Sequence, residues 1–264
     1  MRVGGNPLER DLVAALAGCV LAAPAWAFQP LVTDDTGTQG AGGNQVEFAV
    51  DRERASAGAG AARTTTLPFT FTRGLSDTLD VSVGVSHVRT RDAAAGASGA
   101  GNPVMGAKWR FFEDKASETS LAIKPEVLLP VSATAEAKGL GTGRASWGLT
   151  LIATRELGFG AVHANLGVAR ARFRDPATPA STITSVSIAP VWALAPGWQL
   201  ALDVGVEWDR GGGATTRTRF VGVGAVYSPS DDLDFALGVF RATDSGDPRT
   251  TSTLATAGLT WRFR

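Results

Sequence analysis

The chain has 264 residues, formal net charge +0 and 44% hydrophobic residues. That length holds one large β domain or two small ones. Neutrality argues against a nucleic-acid partner, whose phosphates call for a basic excess.

Arg2 and Arg10 precede an apolar run over residues 12–23, and Ala25-Trp26-Ala27 follows as a small-x-small cleavage site. Residues 1–27 therefore read as a cleaved secretory signal peptide, with a mature chain starting near Phe28. Leu16-Ala17-Gly18-Cys19 also matches a lipid-attachment box, although the apolar stretch before Cys19 is short and apolar sequence continues after it. Cys19 is the only cysteine. On the cleaved reading the mature chain has no disulfide, thiolate nucleophile or Cys-based metal site. Beyond residue 27 no apolar run approaches the roughly eighteen residues of a membrane helix. That leaves a secreted chain that is either soluble or a barrel.

Residues 28–44, FQPLVTDDTGTQGAGGN, form a Gly/Thr/Asp-rich lead without strand periodicity. Its Asp34-Asp35 pair reads first as a solvated, turn-forming pair. Coordinating a divalent cation or placing a plug in a lumen are the other readings. Alternation of large apolar with small or polar residues then begins, the signature of a strand with one apolar face. It covers residues 45–51, 66–72, 79–85, 105–111, 121–129, 147–153, 162–168, 186–192, 198–208, 221–227, 233–239 and 253–263. Pro68 predicts a bulge or a poorly paired position in the second of these.

The ninth alternation is the clearest. Trp198, Leu200, Leu202, Val204, Val206 and Trp208 share one face, and Gln199, Ala201, Asp203, Gly205 and Glu207 the other. Its length suits a tilted crossing of the hydrocarbon layer, and its end tryptophans suit the lipid–water boundaries. Short links around Ser76, Asp114, Gly158, Pro196 and Ser230 alternate with longer ones around Ala59, Ala95, Ala137, Pro176, Gly212 and Ser245. Short turns at one rim and long loops at the other predict an all-β fold: a closed antiparallel transmembrane barrel of about twelve strands over residues 45–264. A soluble β-barrel or sandwich would show Lys and Glu on its small-residue face. Here that face is mostly Ser, Thr, Gly and Ala. Trp109, Phe111, Trp192, Trp198, Tyr227, Trp261 and Phe263 beside the short turns, with Trp147 and Trp208 beside long loops, make the expected aromatic girdle.

Parity assigns Glu47, Asp80, Lys108, Arg110, Lys124, Glu126, His163, Asn165, Asp203, Glu207, Asp234 and Arg262 to the lumen. Charge there must be wetted or paired. Two readings follow: a constriction that selects solutes by charge, or a salt-bridge network that fills a narrow barrel. Twelve strands lie between the filled eight and the open sixteen, so size does not decide. In an open pore, Lys124→Glu would shift the cation/anion preference. His87 shares parity with Val81, Val83 and Val85 and belongs at the outer surface.

PLVTDDTGTQG at 30–40, followed by Gln45-Val46-Glu47, resembles the opening of the phenol-degradation meta-pathway ("transporter") family of outer-membrane proteins. GNPVMGAKWRFF at 101–112 and LAIKPEVLLP at 121–130 resemble its central hairpin. The resemblance implies an outer-membrane barrel assigned to transport, often of aromatic or other small hydrophobic compounds. Two positions depart from the pattern: Asn102 stands where an acid is expected, and Arg264 follows Phe263 where such barrels usually finish on an aromatic.

The expected partners are the outer-membrane bilayer, a small-molecule solute and the barrel-assembly machinery. No nucleic acid, cofactor or metal is expected, for no P-loop, Rossmann fingerprint or zinc spacing occurs. An outer-membrane phospholipase would place Ser two residues after a catalytic His, but Arg89 follows His87 and Asn165 follows His163, so no enzyme is expected. A structural or surface-display barrel remains the rival to transport, although the loops are short for a receptor.

Overall fold

The computed structural model describes residues 30–57, 60–92 and 95–264. The proposed signal peptide and lipid-attachment box lie outside them. No helix among the described residues is long and apolar enough to cross a membrane. The chain crosses instead with strands: β1 (Asn44–Ala57), β2 (Gly60–Gly74), β3 (Leu79–Arg91), β4 (Gly96–Ala100), β5 (Val104–Asp114), β6 (Thr119–Leu128), β7 (Ser146–Leu157), β8 (Gly160–Ala171), β9 (Ser181–Ala195), β10 (Trp198–Gly211), β11 (Ala214–Ser230), β12 (Leu233–Thr243) and β13 (Thr250–Phe263). A five-residue helix, α1 (Ala133–Ala137), lies between β6 and β7, and the Ser132 hydroxyl accepts from the Ala135 N–H at its start.

All neighbours pair antiparallel, and β13 pairs with β1, which closes the sheet. The wall has twelve strands. The thirteenth, β4, is a short addition that pairs with the upper part of β3 where β5 has not yet begun. Closure leaves the twelve-strand wall itself without an edge strand, the condition for a sheet to stand in hydrocarbon. Each predicted alternation falls inside one wall strand, except that 121–129 runs one residue past the end of β6 at Leu128.

Two predicted long links are not loops. β1 and β2 remain paired as far as Ala57 opposite Gly60, and β10 and β11 as far as Gly211 opposite Ala214. Those strands run past the apolar belt, where alternation weakens because neither face meets lipid. Gly212 and Gly213, at φ 59° and 81°, make the tight turn of the second hairpin, a conformation glycine adopts without a Cβ clash. Pro68 behaves as expected: Phe48 pairs with Phe69 and Asp51 with Thr66, but the register is blank between them.

The bulky side chains face outward. Phe48, Phe69, Val83, Leu151, Leu166, Ile188, Val223, Leu237 and Trp261 are exposed, whereas Ala49, Thr70, Ala122, Ile152, Ala201 and Ala236 are buried inside. This inside-out pattern is what a hydrocarbon solvent demands. At the short-turn rim Trp198 stacks on Tyr227 and Trp261 on Phe263, each with centroids 4.6 Å apart. Inward glycines leave room for a few large groups: a Cβ on Gly222 would collide with the Phe240 ring, and one on Gly224 with Pro30.

Candidate functional site: a lumenal plug and its anchors

The lead does not trail away from the barrel. Residues 30–43 enter the lumen through the short-turn half and touch most of its wall. Leu31 packs against Ala189, Val191 and Ala201, the only cluster of buried apolar residues that it joins among the described residues. Everything after Leu31 is held by polar contacts. The Asp203 carboxylate, 0% exposed, accepts from the Val32 N–H at 2.7 Å, the Thr33 N–H at 2.9 Å and the Thr33 hydroxyl at 2.6 Å. The same hydroxyl lies 2.8 Å from Ser187 Oγ.

Asp34 is the central anchor. It is 1% exposed, and its two oxygens accept separately from Lys108 Nζ at 2.8 Å and Lys124 Nζ at 2.9 Å. With its amide oriented to satisfy both partners, Asn165 donates to the Asp34 carbonyl at 2.9 Å and accepts from the Asp34 N–H at 2.7 Å. Burial pushes the Asp34 carboxyl up, but the charges and hydrogen bonds of Lys108 and Lys124 outweigh it and hold the group below its ordinary value. The expectation of a solvated, turn-forming Asp pair is overturned for this residue. Two ammonium groups project from the wall at that depth, and a buried carboxylate between them supplies the pairing that buried charge requires. Asp35 is half-buried, 4.0 Å from Lys108.

Further along, the Thr36 N–H donates to Thr154 Oγ1, which in turn contacts His163 Nδ1 at 2.9 Å. Thr36 Oγ1 shares a hydrogen bond with Ser120 Oγ at 2.5 Å. The Gln39 N–H donates to both oxygens of Asp80, at 3.2 and 3.0 Å, and Gln39 Nε2 to Gln45 Oε1 at 2.9 Å. The Gly42 N–H donates to the Gly74 carbonyl, and the Gly74 N–H to the Gly43 carbonyl. A Cβ at residue 74 would strike the Gly40 carbonyl, so only glycine fits this approach.

Most of the residues assigned to the lumen by parity meet here. Glu47, Asp80, Lys108, Lys124, Asp234 and Arg262 line a cavity of about 310 Å³ beside the plug. Glu126 lies 3.6 Å from Lys124. His163 and Arg110 border a second cavity of about 550 Å³ across the plug. Arg262 pairs with Asp234 at 2.6 Å, and Arg110 lies 3.4 Å from Glu113 at the rim. Glu207 stands apart, facing inward on β10 above the Asp203 anchor. Lys124, 4% exposed, is committed to Asp34 rather than presented to passing ions. Thr33, Asp34, Thr36 and Gln39 are the residues the sequence did not single out as lumen anchors. No periodicity marks them, and their partners on the wall, Gln45 apart, lie 41 to 170 positions away.

At the opposite rim, Asn102 explains its own departure from the family pattern. Its Nδ2 donates to the Leu129 and Thr142 carbonyls at 2.7 and 2.9 Å, while its Oδ1 accepts from the Thr142 N–H at 2.8 Å. A carboxylate has no donors for the two carbonyls. His87 faces outward and contacts Ser98 Oγ at 3.0 Å.

A closed twelve-strand wall with an apolar outer belt, aromatic rims and a polar interior defines an outer-membrane β-barrel. Residues 28–263 match the family described as "Putative MetA-pathway of phenol degradation", and the chain belongs to that family. Among curated proteins, none matches this sequence. Among solved structures, an outer membrane channel from Pseudomonas putida F1 is similar at 14% identity and TM-score 0.71, covering 87% of this chain and 98% of that one. The translocator domain of the autotransporter NalP from Neisseria meningitidis is similar at 12% identity and TM-score 0.56, with 97% and 98% covered. The NanC porin is similar at 8% identity and TM-score 0.52, with 81% and 98% covered. At these identities the likeness concerns the fold.

Proposed function

We propose that this protein is a passive outer-membrane channel for small solutes whose lead segment is a lumenal plug that sets when the channel conducts. Residues 1–27 are its export signal, the barrel-assembly machinery inserts it, and it performs no chemistry on its cargo. The observation that carries the reading is the way the plug is held. Its anchors are mostly hydrogen bonds and ion pairs, with Pro30 and Leu31 as the apolar ones. Polar anchors can be exchanged for water one by one, so the plug can yield to a solute or shift without unfolding the wall. The flanking cavities of about 310 and 550 Å³ support a route along the plug for a small molecule. The solute class named for the family, aromatic or other small hydrophobic compounds, fits a lumen that also carries Phe220 and Phe240, with ring centroids 6.5 Å apart.

The density of anchors also favours a second reading, a barrel that stays shut and serves structure or surface contacts. Planar-bilayer recording separates the two. Refolded full-length protein gives small or intermittent conductance on the channel reading, and deletion of residues 28–43 gives a large steady one. A deletion variant that folds and conducts nothing in any salt removes the channel reading.

A further inference from the structure

The outward faces of β1, β2 and β3 change character at one height. Val46, Phe48 and Val50 on β1, Leu67, Phe69 and Phe71 on β2, and Val81, Val83 and Val85 on β3 continue the lipid-facing belt. Beyond them the same faces carry Arg52 and Arg54, Thr65 and Arg63, and His87, Arg89 and Arg91, and all five arginines are exposed. The register sets three of them in one row: Arg54 lies directly opposite Arg63, and Arg63 directly opposite Arg91. In a second row Thr65 separates Arg52 from Arg89.

Like charges directly opposite each other on adjacent strands repel, and no ion pair among the described residues relieves them. Among the described residues none of the five has a carboxylate within 4 Å of its guanidinium; the six ion pairs all lie elsewhere. The acids of β1 at this level, Asp51 and Glu53, sit on the opposite, lumenal face. Farther round the wall, Arg241 continues the row through Thr253, which lies opposite Arg54. The short-turn rim is built differently: Arg73, Arg110, Lys115, Arg155, Arg262 and Arg264 stand there among Asp77, Glu113, Asp114, Glu118, Glu156, Asp231 and Asp232, and Arg110 and Arg262 are ion-paired.

Depth identifies the partner. A strand advances roughly 3.3 Å per residue at a tilt of about 40°. Counted along each strand, Arg52 lies about 5 Å and Arg54 about 10 Å beyond Val50, Arg63 about 10 Å beyond Leu67, and Arg89 and Arg91 about 10 and 15 Å beyond Val85. The headgroup layer, about 5–7 Å thick, begins there, and the long stems of the farther arginines reach back to it. Guanidinium forks match phosphate oxygens two bonds at a time, and their long stems can lie along the apolar wall below. We infer that Arg52, Arg54, Arg63, Arg89 and Arg91 form a binding site on the outer wall for the phosphate groups of lipid A, the phosphorylated glycolipid of the outer leaflet. Thr65 and Ser98, between and beside the two rows, offer hydroxyls to the same groups. The bound phosphates remove the repulsion within the row and fix which leaflet this end of the barrel occupies.

Native mass spectrometry of the refolded full-length protein tests this, with bisphosphorylated lipid A, fully dephosphorylated lipid A and phosphatidylglycerol as probes. The wild type is expected to retain bisphosphorylated lipid A about tenfold more strongly than either other lipid. Arg54→Gln/Arg63→Gln/Arg91→Gln loses that preference, Arg63→Gln alone weakens it about threefold, and Arg73→Gln at the other rim leaves it intact. Folding of each variant is checked by heat-dependent gel mobility. Equal retention of dephosphorylated lipid A or phosphatidylglycerol by the wild type overturns the assignment without any variant. So does a folded triple variant that keeps the wild-type preference.

Discussion

Asp34→Asn tests the plug at its most heavily loaded point. The Asp34 carboxylate is the shared acceptor of Lys108 and Lys124 at 2.8 and 2.9 Å, and all three groups lie inside the barrel. Asparagine keeps the shape and one acceptor but removes the charge, so two ammonium groups lose their principal counter-ion. Breaking a buried pair in this way costs about 3–5 kcal/mol. Glu126, at 3.6 Å from Lys124, partly compensates, which places the cost near the lower end. The wall does not share it, because every strand keeps its ladder. The cost therefore falls on the seated plug, and at about 1.4 kcal/mol per factor of ten the released fraction rises on the order of 100-fold. Single-channel recording should show that rise as open probability, and limited proteolysis of outer-membrane vesicles opened to the short-turn side should show faster cleavage within residues 30–43. Asp34→Asn channels with wild-type open probability and wild-type cleavage would refute the assignment of Asp34 as the anchor.

Two further outcomes follow from the same contacts. The Asp34 carboxyl is held below its ordinary value by Lys108 and Lys124 against the opposing effect of burial. Its contribution is therefore complete above the unfolded value near 4 and is lost as pH falls through the lowered one. Conductance should stay flat from about pH 7 to 5 and rise only below about pH 4, with that rise absent in Asp34→Asn; a rise between pH 7 and 5 would point to another group. Asn102→Asp would set a carboxylate against the carbonyls of Leu129 and Thr142, costing about 1–3 kcal/mol of local stability. Hydrogen exchange across residues 129–145 should quicken, and unchanged protection would mean that Asn102 does not tie this loop down.

How much was legible differs between wall and plug. Each wall strand announced itself locally, since a strand with lipid on one side and a crowded polar lumen on the other must alternate with period two. The 198–208 stretch alone carried strand direction, length and both interfacial tryptophans. Parity also puts Lys108, Lys124, Asp203 and His163 on the inward face, and all four are buried or nearly so. Where neither face meets lipid the signal fades, and so the paired extensions of β1 with β2 and β10 with β11 read as loops. β4 was missed for the same reason: GASGA has no large residue with which to mark a face.

The amino-acid order by itself determined that this is a closed, inside-out barrel, because the solvent on each side selects residues one position at a time. It also determined which charged side chains would have to find partners indoors. Only the tertiary structure decided what those partners are. Asp34 meets Lys108 and Lys124 across 74 and 90 positions of chain, a contact set by where twelve strands bring their interior faces and by how a lead with no pattern of its own threads between them. Coulombic and hydrogen-bond partners carry no period, so they are fixed by distance in space and leave no trace in spacing along the chain.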